Sequence, residues 1–468
     1  MSTNIKKNYA LTLIYNFLNI LIPFISTPYI ARILGAERMG IYSYQYSVAY
    51  YFVIFAMLGL NNYGNRTVAS LREDKDKLSK TFWDIYYMQS ALSIITTIVY
   101  LLYVWAVADN KLIALLLIFY VVSAGFDITW FFFGVENFQF AVIRNLVIKV
   151  LDLALILILV KTSSDLWLYT LIMALGFLFS QMFLWTRIRG YVGFRRPDLK
   201  ESFKHLKPNL VLFIPVIAIS IYHFMDKIML GNLSNMEQVG FYDNSEKIIT
   251  IPQTAVAALG TVMLPRVSNM MATGNQEGAI NYLKKSIILV ACISSACTFG
   301  IIAVAPEFIH LYLGDGFETC IMLLYYLMPC LIFKAYANVI RTQYLIPLKN
   351  DKIYVTSVCI GAVVNFVFNY IFIPHFQAVG ACIGTILAEI IVCLYQMQFI
   401  IREQKVGKYF IYGFVFQGIG AIMFLVLRSI HFSGSEWLIL GEKIMLGGVI
   451  YVVLSAVYFL TQKKKLLS

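Results

Sequence analysis

Charged side chains that interrupt otherwise apolar stretches are the residues of this sequence with the means to do chemistry. A charge inside a lipid-embedded helix costs several kcal/mol, so it normally faces protein or a water-filled cavity. Arg holds a phosphate with a bidentate pair of N–H groups, and Lys acts as a point charge. We expect at least two cations to line a cleft for an anion such as a diphosphate, although any one alone fits a position at the membrane surface. The cations concerned are Arg32, Arg66, Arg144, Lys149, Lys227 and Lys247.

Acidic residues within the same stretches suggest a second role. Lys334 and Glu389 fall near the middle of two apolar runs, where they either pair with each other or serve a cavity. Together with Asp127 they are the residues we predict for coupling to protons or sodium ions. Two further pairs have the spacing of neighbours on one helix face, which favours internal ion pairs: Lys149 with Asp152, and Asp243 with Lys247.

The composition excludes a soluble protein. The chain is 60% hydrophobic and 13% charged, with a mean hydropathy of +0.75, whereas a soluble domain is about 25% charged. The apolar runs are continuous, which predicts an all-α integral membrane protein and not an alternating β-barrel. No phosphate-binding loop or hydrolase motif is present, and the seven cysteines form no CxxC pair. We therefore expect neither an enzyme nor a metal or cofactor, and the spread of the +12 charge over loops requires no nucleic acid.

Apolar runs long enough to cross a bilayer number about fourteen, and each needs roughly 20 residues. Basic residues concentrate in the loops on the same side as the termini, which by the positive-inside rule predicts that both termini are cytoplasmic. The predicted spans are 9–33, 41–60, 82–107, 111–133, 140–160, 166–186, 209–230, 240–264, 285–305, 318–340, 352–373, 379–400, 410–428 and 437–460.

A short motif recurs 200 positions apart and indicates two homologous lobes. ERMGIY at 37–42 is echoed by EQVGFY at 237–242, and each copy lies between two apolar runs. Six spans per lobe makes the two halves a parallel repeat. The predicted parts are an N-lobe at 1–186, a cytoplasmic linker at 187–208, a C-lobe at 209–400, and spans 13–14 with a basic tail at 401–468. The linker is basic and aromatic, which fits either a helix on the inner leaflet or a solvated connection.

Two prolines lie five residues apart in the first span. Pro23 and Pro28 each remove a backbone hydrogen bond. They predict either a static kink or the joints of a gate helix that bends during transport.

Several segments resemble a known family. PYIARILGAERMGIYSY, FFFGVENFQFAVIRNLVIKV and FMDKIMLGNLSNMEQVGFYDNSEKI are similar to segments of bacterial O-antigen and capsule repeat-unit flippases. GAVVNFVFNYIFIPHFQAVGACIGTILAE resembles a signature of the wider multidrug/oligosaccharidyl-lipid/polysaccharide exporter superfamily. The resemblance covers most of residues 8–400. Family members carry essential charges in a central cavity, and the matching positions here are Arg32, Arg144, Asp226 and Lys227.

The resemblance implies a two-lobed transporter of the bacterial cytoplasmic membrane. It would move polyprenyl-diphosphate-linked oligosaccharides to the outer leaflet by alternating access, with membrane lipids and the polymerase and glycosyltransferases of the same pathway as partners. Spans 13 and 14 would help to form a groove for the lipid tail. Three alternatives stay open: a lipid II flippase, a multidrug cation antiporter of the same superfamily, and a membrane glycosyltransferase. The basic motif residues disfavour the antiporter, and the absence of a long external loop disfavours the glycosyltransferase.

Overall fold

The protein is built from helices. The computed structural model describes the backbone of residues 2–467 and the side chains of residues 21–137, 139–221 and 223–462. Within residues 2–467 no β-strand is present. The helices are α1 Ser2–Met57, α2 Leu60–Leu71, α3 Lys75–Ala106, α4 Lys111–Leu116, α5 Ile118–Phe126, α6 Thr129–Gly134, α7 Phe138–Leu159, α8 Leu166–Ile188, α9 Leu199–Lys204, α10 Leu206–Leu233, α11 Met236–Ala272, α12 Gln276–Tyr312, α13 Thr319–Leu327, α14 Cys330–Ile340, α15 Asp351–Glu403, α16 Gly407–Ser429 and α17 Glu436–Leu467.

The helices are long and apolar enough for a multi-pass membrane protein. In the described part of the chain, ten helical stretches qualify as membrane spans by length and composition. The count of fourteen stays a prediction. The connections between helices differ from the prediction. At two places where a loop was predicted, a single residue interrupts an otherwise continuous helix.

Two long helices each contain a one-residue break. In α1 it is Gly35, with φ 73° and ψ 172°, so the predicted spans 9–33 and 41–60 are continuous apart from this residue. In α15 it is Gln377, with φ 52° and ψ −128°, between the predicted spans 352–373 and 379–400. The helical dihedrals run through Pro23 and Pro28 without a break.

The two copies of the repeated motif turn at equivalent positions. Asn235 lies 200 residues after Gly35 and is the N-cap of α11, with φ −147° and ψ 170°. Its side-chain oxygen accepts a hydrogen bond from the Gln238 amide at 3.0 Å. In both copies the second helix therefore begins at the same position of the motif. The ψ angles of Gly35 and Asn235 are similar. Only the first copy has a positive φ, and only the first has glycine there.

The predicted span 111–133 is interrupted twice. At the second interruption, the side chain of buried Gln89 in α3 forms hydrogen bonds with backbone carbonyls of the interrupted helix. Between α5 and α6 the helical hydrogen bonding lapses at Asp127. The Gln89 amide donates to the carbonyls of Ala124 and Asp127 at 2.7 and 2.8 Å, and its oxygen accepts the Trp130 indole N–H at 3.1 Å. A break at membrane depth is tolerated only when such freed groups find partners.

The chain divides into two compact units, Met1–Ile228 and Met229–Ser468. Most of α10 belongs to the first unit, where Phe213 packs against Phe55 with ring centroids 5.3 Å apart. The Tyr51 hydroxyl donates to the Ser220 carbonyl at 3.3 Å. A buried cluster around Phe82 and Trp130 forms a core of this unit.

The segment between α8 and α10 is fastened to the first turns of α3. Buried Asp84 accepts hydrogen bonds from the Asp198 amide at 3.0 Å and from the Ser202 hydroxyl at 3.4 Å. The Trp83 indole donates to the Gly193 carbonyl at 3.0 Å. The segment contains the short helix α9 and is held by these bonds, so it is not a loosely solvated connection along its whole length.

Candidate functional site

A half-open cavity of about 510 Å³ lies in the first unit. It is bordered by α2, α6 and the turn before it, α7 and α8. Its walls combine two cations, one carboxylate, five amide or hydroxyl side chains of α2, α7 and α8, one threonine and three aromatic rings. The lining residues are Asn61, Asn65, Asp127, Thr129, Trp130, Phe133, Arg144, Asn145, Lys149, Phe177, Ser180 and Gln181.

Arg144 is the most deeply placed cation of this cavity. It lies in the second turn of α7 and is 4% exposed. Its guanidinium donates to the amide oxygens of Gln181 at 3.0 Å and Asn145 at 2.8 Å. These acceptors are neutral, so they orient the guanidinium without cancelling its charge.

The acceptors of Arg144 are themselves held in place. The Ser180 hydroxyl donates to the Asn145 oxygen at 3.0 Å, and the Thr129 hydroxyl donates to the Gln181 oxygen at 3.4 Å. Hydrogen bonds of this kind restrict the position of a charged side chain.

Lys149 and Asp127 complete the charged part of the cavity. Lys149 lies five residues after Arg144 on α7 and is partly buried. Asp127 directly precedes Ile128, the N-cap of α6, and one of its carboxylate oxygens accepts a hydrogen bond from the Thr129 amide at 2.8 Å. The three charges sum to one net positive charge, which favours an anionic ligand that also offers hydrogen-bond donors.

Two glycines, one on α2 and one on α6, allow these helices to pack closely against each other at the wall of the cavity. A methyl group on Gly64 would come within 2.6 Å of the Trp130 ring, and one on Gly134 would come within 2.6 Å of Val68. Both contacts lie below any normal carbon–carbon distance. The two helices therefore approach closely because glycine occurs on each of them.

Other predicted binding residues of the first unit lie outside this cavity's lining. Arg32 and Arg66 are exposed, although Arg66 shares α2 with Asn61 and Asn65. Buried Asp226 and partly buried Lys227 occupy the last part of α10. The Lys227 ammonium lies 5.8 Å from the centroid of the Phe224 ring.

The second unit contains two of the expected ion pairs. The Lys334 ammonium lies 3.3 Å from a Glu389 oxygen, and both side chains are largely buried. The Lys247 ammonium lies 2.6 Å from an Asp243 oxygen, within one turn of α11. The pairing of Lys334 with Glu389 and of Asp243 with Lys247 is thus confirmed. Lys247 is engaged by a carboxylate of its own helix, which reduces its suitability as an anion ligand.

The sequence analysis missed the neutral polar residues. In the second unit a buried chain of hydrogen bonds joins Tyr242 to Thr385 at 3.0 Å, Asn365 to Thr385 at 3.5 Å and Asn369 to Asn365 at 3.3 Å. In the first unit the amides of the cavity were missed as well. The available signal was spacing: Asn365 and Asn369, like Asn61 and Asn65, are four residues apart and share a helix face.

Comparison with known proteins agrees with this architecture. The family model described as "Polysaccharide biosynthesis protein" matches residues 5–271, and the model described as "Lipid II flippase MurJ" matches residues 167–458. Two relatives bear the name "Putative O-antigen transporter". The one from Escherichia coli (strain K12) is 22% identical over 413 residues, covering 86% of this chain and 99% of its own. The one from Shigella dysenteriae is 22% identical over 402 residues, covering 84% and 99%.

Two solved structures share the fold. One is described as a lipid II flippase MurJ in an inward closed conformation. It superposes with a TM-score of 0.75 at 14% identity, over 97% of this chain and 98% of the other. The other is described as an inward-facing multidrug resistance MATE family transporter of the MOP superfamily, with a TM-score of 0.57 at 14% identity, over 88% and 100%. The chain belongs to the polysaccharide biosynthesis protein family.

Proposed function

We propose that this protein moves polyprenyl-diphosphate-linked oligosaccharide repeat units from the inner to the outer leaflet of the bacterial cytoplasmic membrane. The physical problem is the headgroup, because a hydrated sugar and a diphosphate cannot cross hydrocarbon without a polar shelter. The observation that carries the proposal is buried Arg144, held by neutral acceptors in a cavity that also contains Lys149. Family membership supports the same function.

The proposed arrangement has fourteen spans, two six-span lobes and cytoplasmic termini. With that orientation the turn before α7 is cytoplasmic, so Arg144 lies close to the side on which the substrate is presented. Pro23 and Pro28 are the proposed joints of a gate helix. Arg32, Arg66, Lys227 and Lys247 remain proposed anion contacts, with Asp226 next to Lys227. No cofactor or catalytic step is proposed.

A lipid II flippase is the second candidate function. It is favoured by the match of residues 167–458 to the MurJ model and differs from the first chiefly in its substrate. A multidrug cation antiporter fits less well, because two cations in the cavity would repel its substrates. Parallel transport assays with lipid II and with a lipid-linked oligosaccharide separate the first two candidates.

Replacement of Arg144 tests the proposed function. Charge-assisted hydrogen bonds contribute about 1.5–3 kcal/mol each, so Arg144→Gln should lower export per folded molecule roughly 10- to 150-fold. Arg144→Lys should restore it only in part, since Lys lacks the planar pair of donors. Arg189→Gln is the matched control, because Arg189 is exposed at the end of α8 and does not line the cavity. Normal export by Arg144→Gln, at a normal amount of folded protein, would show that the anion is not bound here.

A further inference from the structure

The cavity of the first unit contains hydrogen-bond acceptors that a diphosphate has no way to use. The phosphate oxygens of a diphosphate ester only accept, so Arg144 and Lys149 suit them. The Asp127 carboxylate also only accepts, and the amides of Asn61 and Asn65 each offer an oxygen as well as an NH₂ group. A ligand that satisfies both sets must combine negative charge with hydroxyl donors. A glycosyl diphosphate has this combination.

The two α2 amides are arranged to act together. Asn61 and Asn65 are four residues apart, so their side chains lie one above the other on the same helix face, and both line the cavity. An amide that donates and accepts matches a sugar hydroxyl, which does the same. Asn62 is exposed and does not line the cavity.

Phe133 supplies an apolar surface beside these polar groups. It lies on α6, lines the cavity and is 37% exposed. A pyranose ring has one face rich in C–H groups, which packs on an aromatic ring while its hydroxyls are bonded at the edge. The volume of about 510 Å³ is within the range of 300–1,000 Å³ that is usual for small-molecule sites. It exceeds what a diphosphate alone would fill.

We propose that this cavity holds the sugar directly attached to the diphosphate, with Asn61, Asn65, Asp127 and Phe133 selecting the sugar while Arg144 and Lys149 bind the phosphates. The inference rests on the proposed function and adds a division of tasks to it. The carboxylate that would weaken binding of a bare diphosphate becomes a favourable acceptor once a sugar hydroxyl is present. Substrate preference would then be set within the first unit, by the first sugar of the repeat.

Binding of defined lipids to the full-length protein in nanodiscs tests the inference. The probes are undecaprenyl diphosphate and the same lipid carrying a single glucose, galactose, N-acetylglucosamine or N-acetylgalactosamine. The measured quantity is the ratio of the Kd for the bare lipid to the Kd for each glycosylated lipid. For the wild type we expect a ratio of about 5 to 150 for at least one sugar, as two to three neutral hydrogen bonds would give.

The variants separate the two parts of the cavity. The double variant Asn61→Leu/Asn65→Leu should bring that ratio close to one, and Phe133→Ala should lower it by a smaller factor because the hydrogen bonds to the sugar remain. Both variants should weaken binding of the glycosylated lipid far more than binding of the bare lipid. Retained binding of the bare lipid also shows that the fold is intact. Arg144→Gln should raise the Kd of the bare lipid and the Kd of the glycosylated lipid by a similar factor, so the ratio of the two Kd values should not change. Asn62→Leu should leave the ratio and both Kd values at the wild-type level.

The outcomes distinguish failure of the inference from failure of the proposed function. A wild-type ratio of one for all four sugars, or a ratio that the Asn61→Leu/Asn65→Leu variant leaves unchanged, would overturn the sugar site even if Arg144→Gln still weakened the bare lipid. No effect of Arg144→Gln on either lipid would overturn the anion site on which both proposals depend.

Discussion

The guanidinium of Arg144 donates to the amide oxygen of Gln181 across the interface of α7 and α8, with 3.0 Å between the nitrogen and the oxygen. The acceptor is an amide, although a carboxylate of almost the same shape would make a stronger bond to Arg144. An amide oxygen accepts the hydrogen bond without adding a negative charge beside the guanidinium. A carboxylate would add one.

Gln181→Glu should therefore impair the cavity without unfolding the protein. The new carboxylate pairs with Arg144, so we expect the affinity for undecaprenyl diphosphate to fall at least about tenfold, or 1.4 kcal/mol. Gln181→Leu should instead lower stability by about 1–3 kcal/mol, because it leaves a buried N–H group of Arg144 without its acceptor. Lipid binding and thermal unfolding in detergent distinguish the two effects. Tighter binding by Gln181→Glu would contradict this account of the cavity.

The Lys334–Glu389 pair gives a prediction for the second unit. Because both groups are largely buried, Glu389→Leu or Lys334→Met alone should destabilise the protein by about 3–5 kcal/mol through the remaining charge. The double variant Lys334→Met/Glu389→Leu should recover most of that loss. Thermal unfolding of all variants completes a double-mutant cycle.

The same pair is our proposed element for ion coupling. If it has that role, the stable double variant should transport slowly and should lose the dependence of transport on the proton or sodium gradient. A double variant that keeps normal, gradient-dependent transport would assign the pair to structure alone. The exposed pair Lys204 and Glu201, 2.6 Å apart, provides the matched control, since its removal should change neither stability nor coupling.

The one-residue breaks in α1 and α15 predict opposite effects of substitution. Gly35 has dihedrals that are nearly exclusive to glycine, and a methyl group there would meet nothing within 4 Å. Gly35→Ala should therefore lower the free energy of unfolding by about 1–3 kcal/mol, through backbone strain alone. Gln377 has a positive φ without being glycine, so Gln377→Gly should be neutral or stabilising by up to about 1 kcal/mol. Unfolding temperatures of the two variants test this, and destabilisation of equal size in both would contradict it.

Gln89 should be far less replaceable than its place in an apolar helix suggests. Gln89→Leu would leave the carbonyls of Ala124 and Asp127 and the indole N–H of Trp130 without their partner. Each buried unsatisfied group costs about 1–3 kcal/mol, so we expect severe loss of folded protein. Gln89→Glu keeps the acceptor for Trp130 but loses both donors, and its yield should be intermediate at best. The amount of monodisperse protein after purification measures both.

The charges of the cavity could be predicted from sequence, and its neutral groups could not. Arg144 and Lys149 were identifiable because an unexplained cation in an apolar run is costly wherever it lies. Arg66 was predicted together with them, but it does not line this cavity. Residues 60–71 contain no long apolar run, so α2 was not predicted, and the direction of its side chains was unknown. Asn61 and Asn65 share the face that lines the cavity, while Arg66 is turned about 100° from Asn65 and is exposed.

The helical class and most spans followed from hydropathy, but the way the helices join did not. A turn made by Gly35 or Gln377 alone leaves no polar loop to recognise. Conversely, the run 111–133 is uniformly apolar, and its break at Asp127 depends on Gln89, a residue about forty positions away that supplies the missing hydrogen bonds. Such a contact depends on packing between helices and has no local signature in the sequence.

The bonds that hold residues 193–202 to α3 have a mechanical consequence. Trp83 and Asp84, which bind this segment, adjoin Phe82, whose ring packs on Trp130 with centroids 5.7 Å apart. Trp130 is a wall of the cavity. A movement of this segment would therefore be transmitted to the proposed substrate site. The route consists of three consecutive residues of α3 and one contact between aromatic rings. Lengthening the chain at Gly190 would loosen the connection of this segment to α8 without changing any residue of the cavity, while Trp185 of α8 would still pack on Tyr86 of α3, with ring centroids 4.5 Å apart.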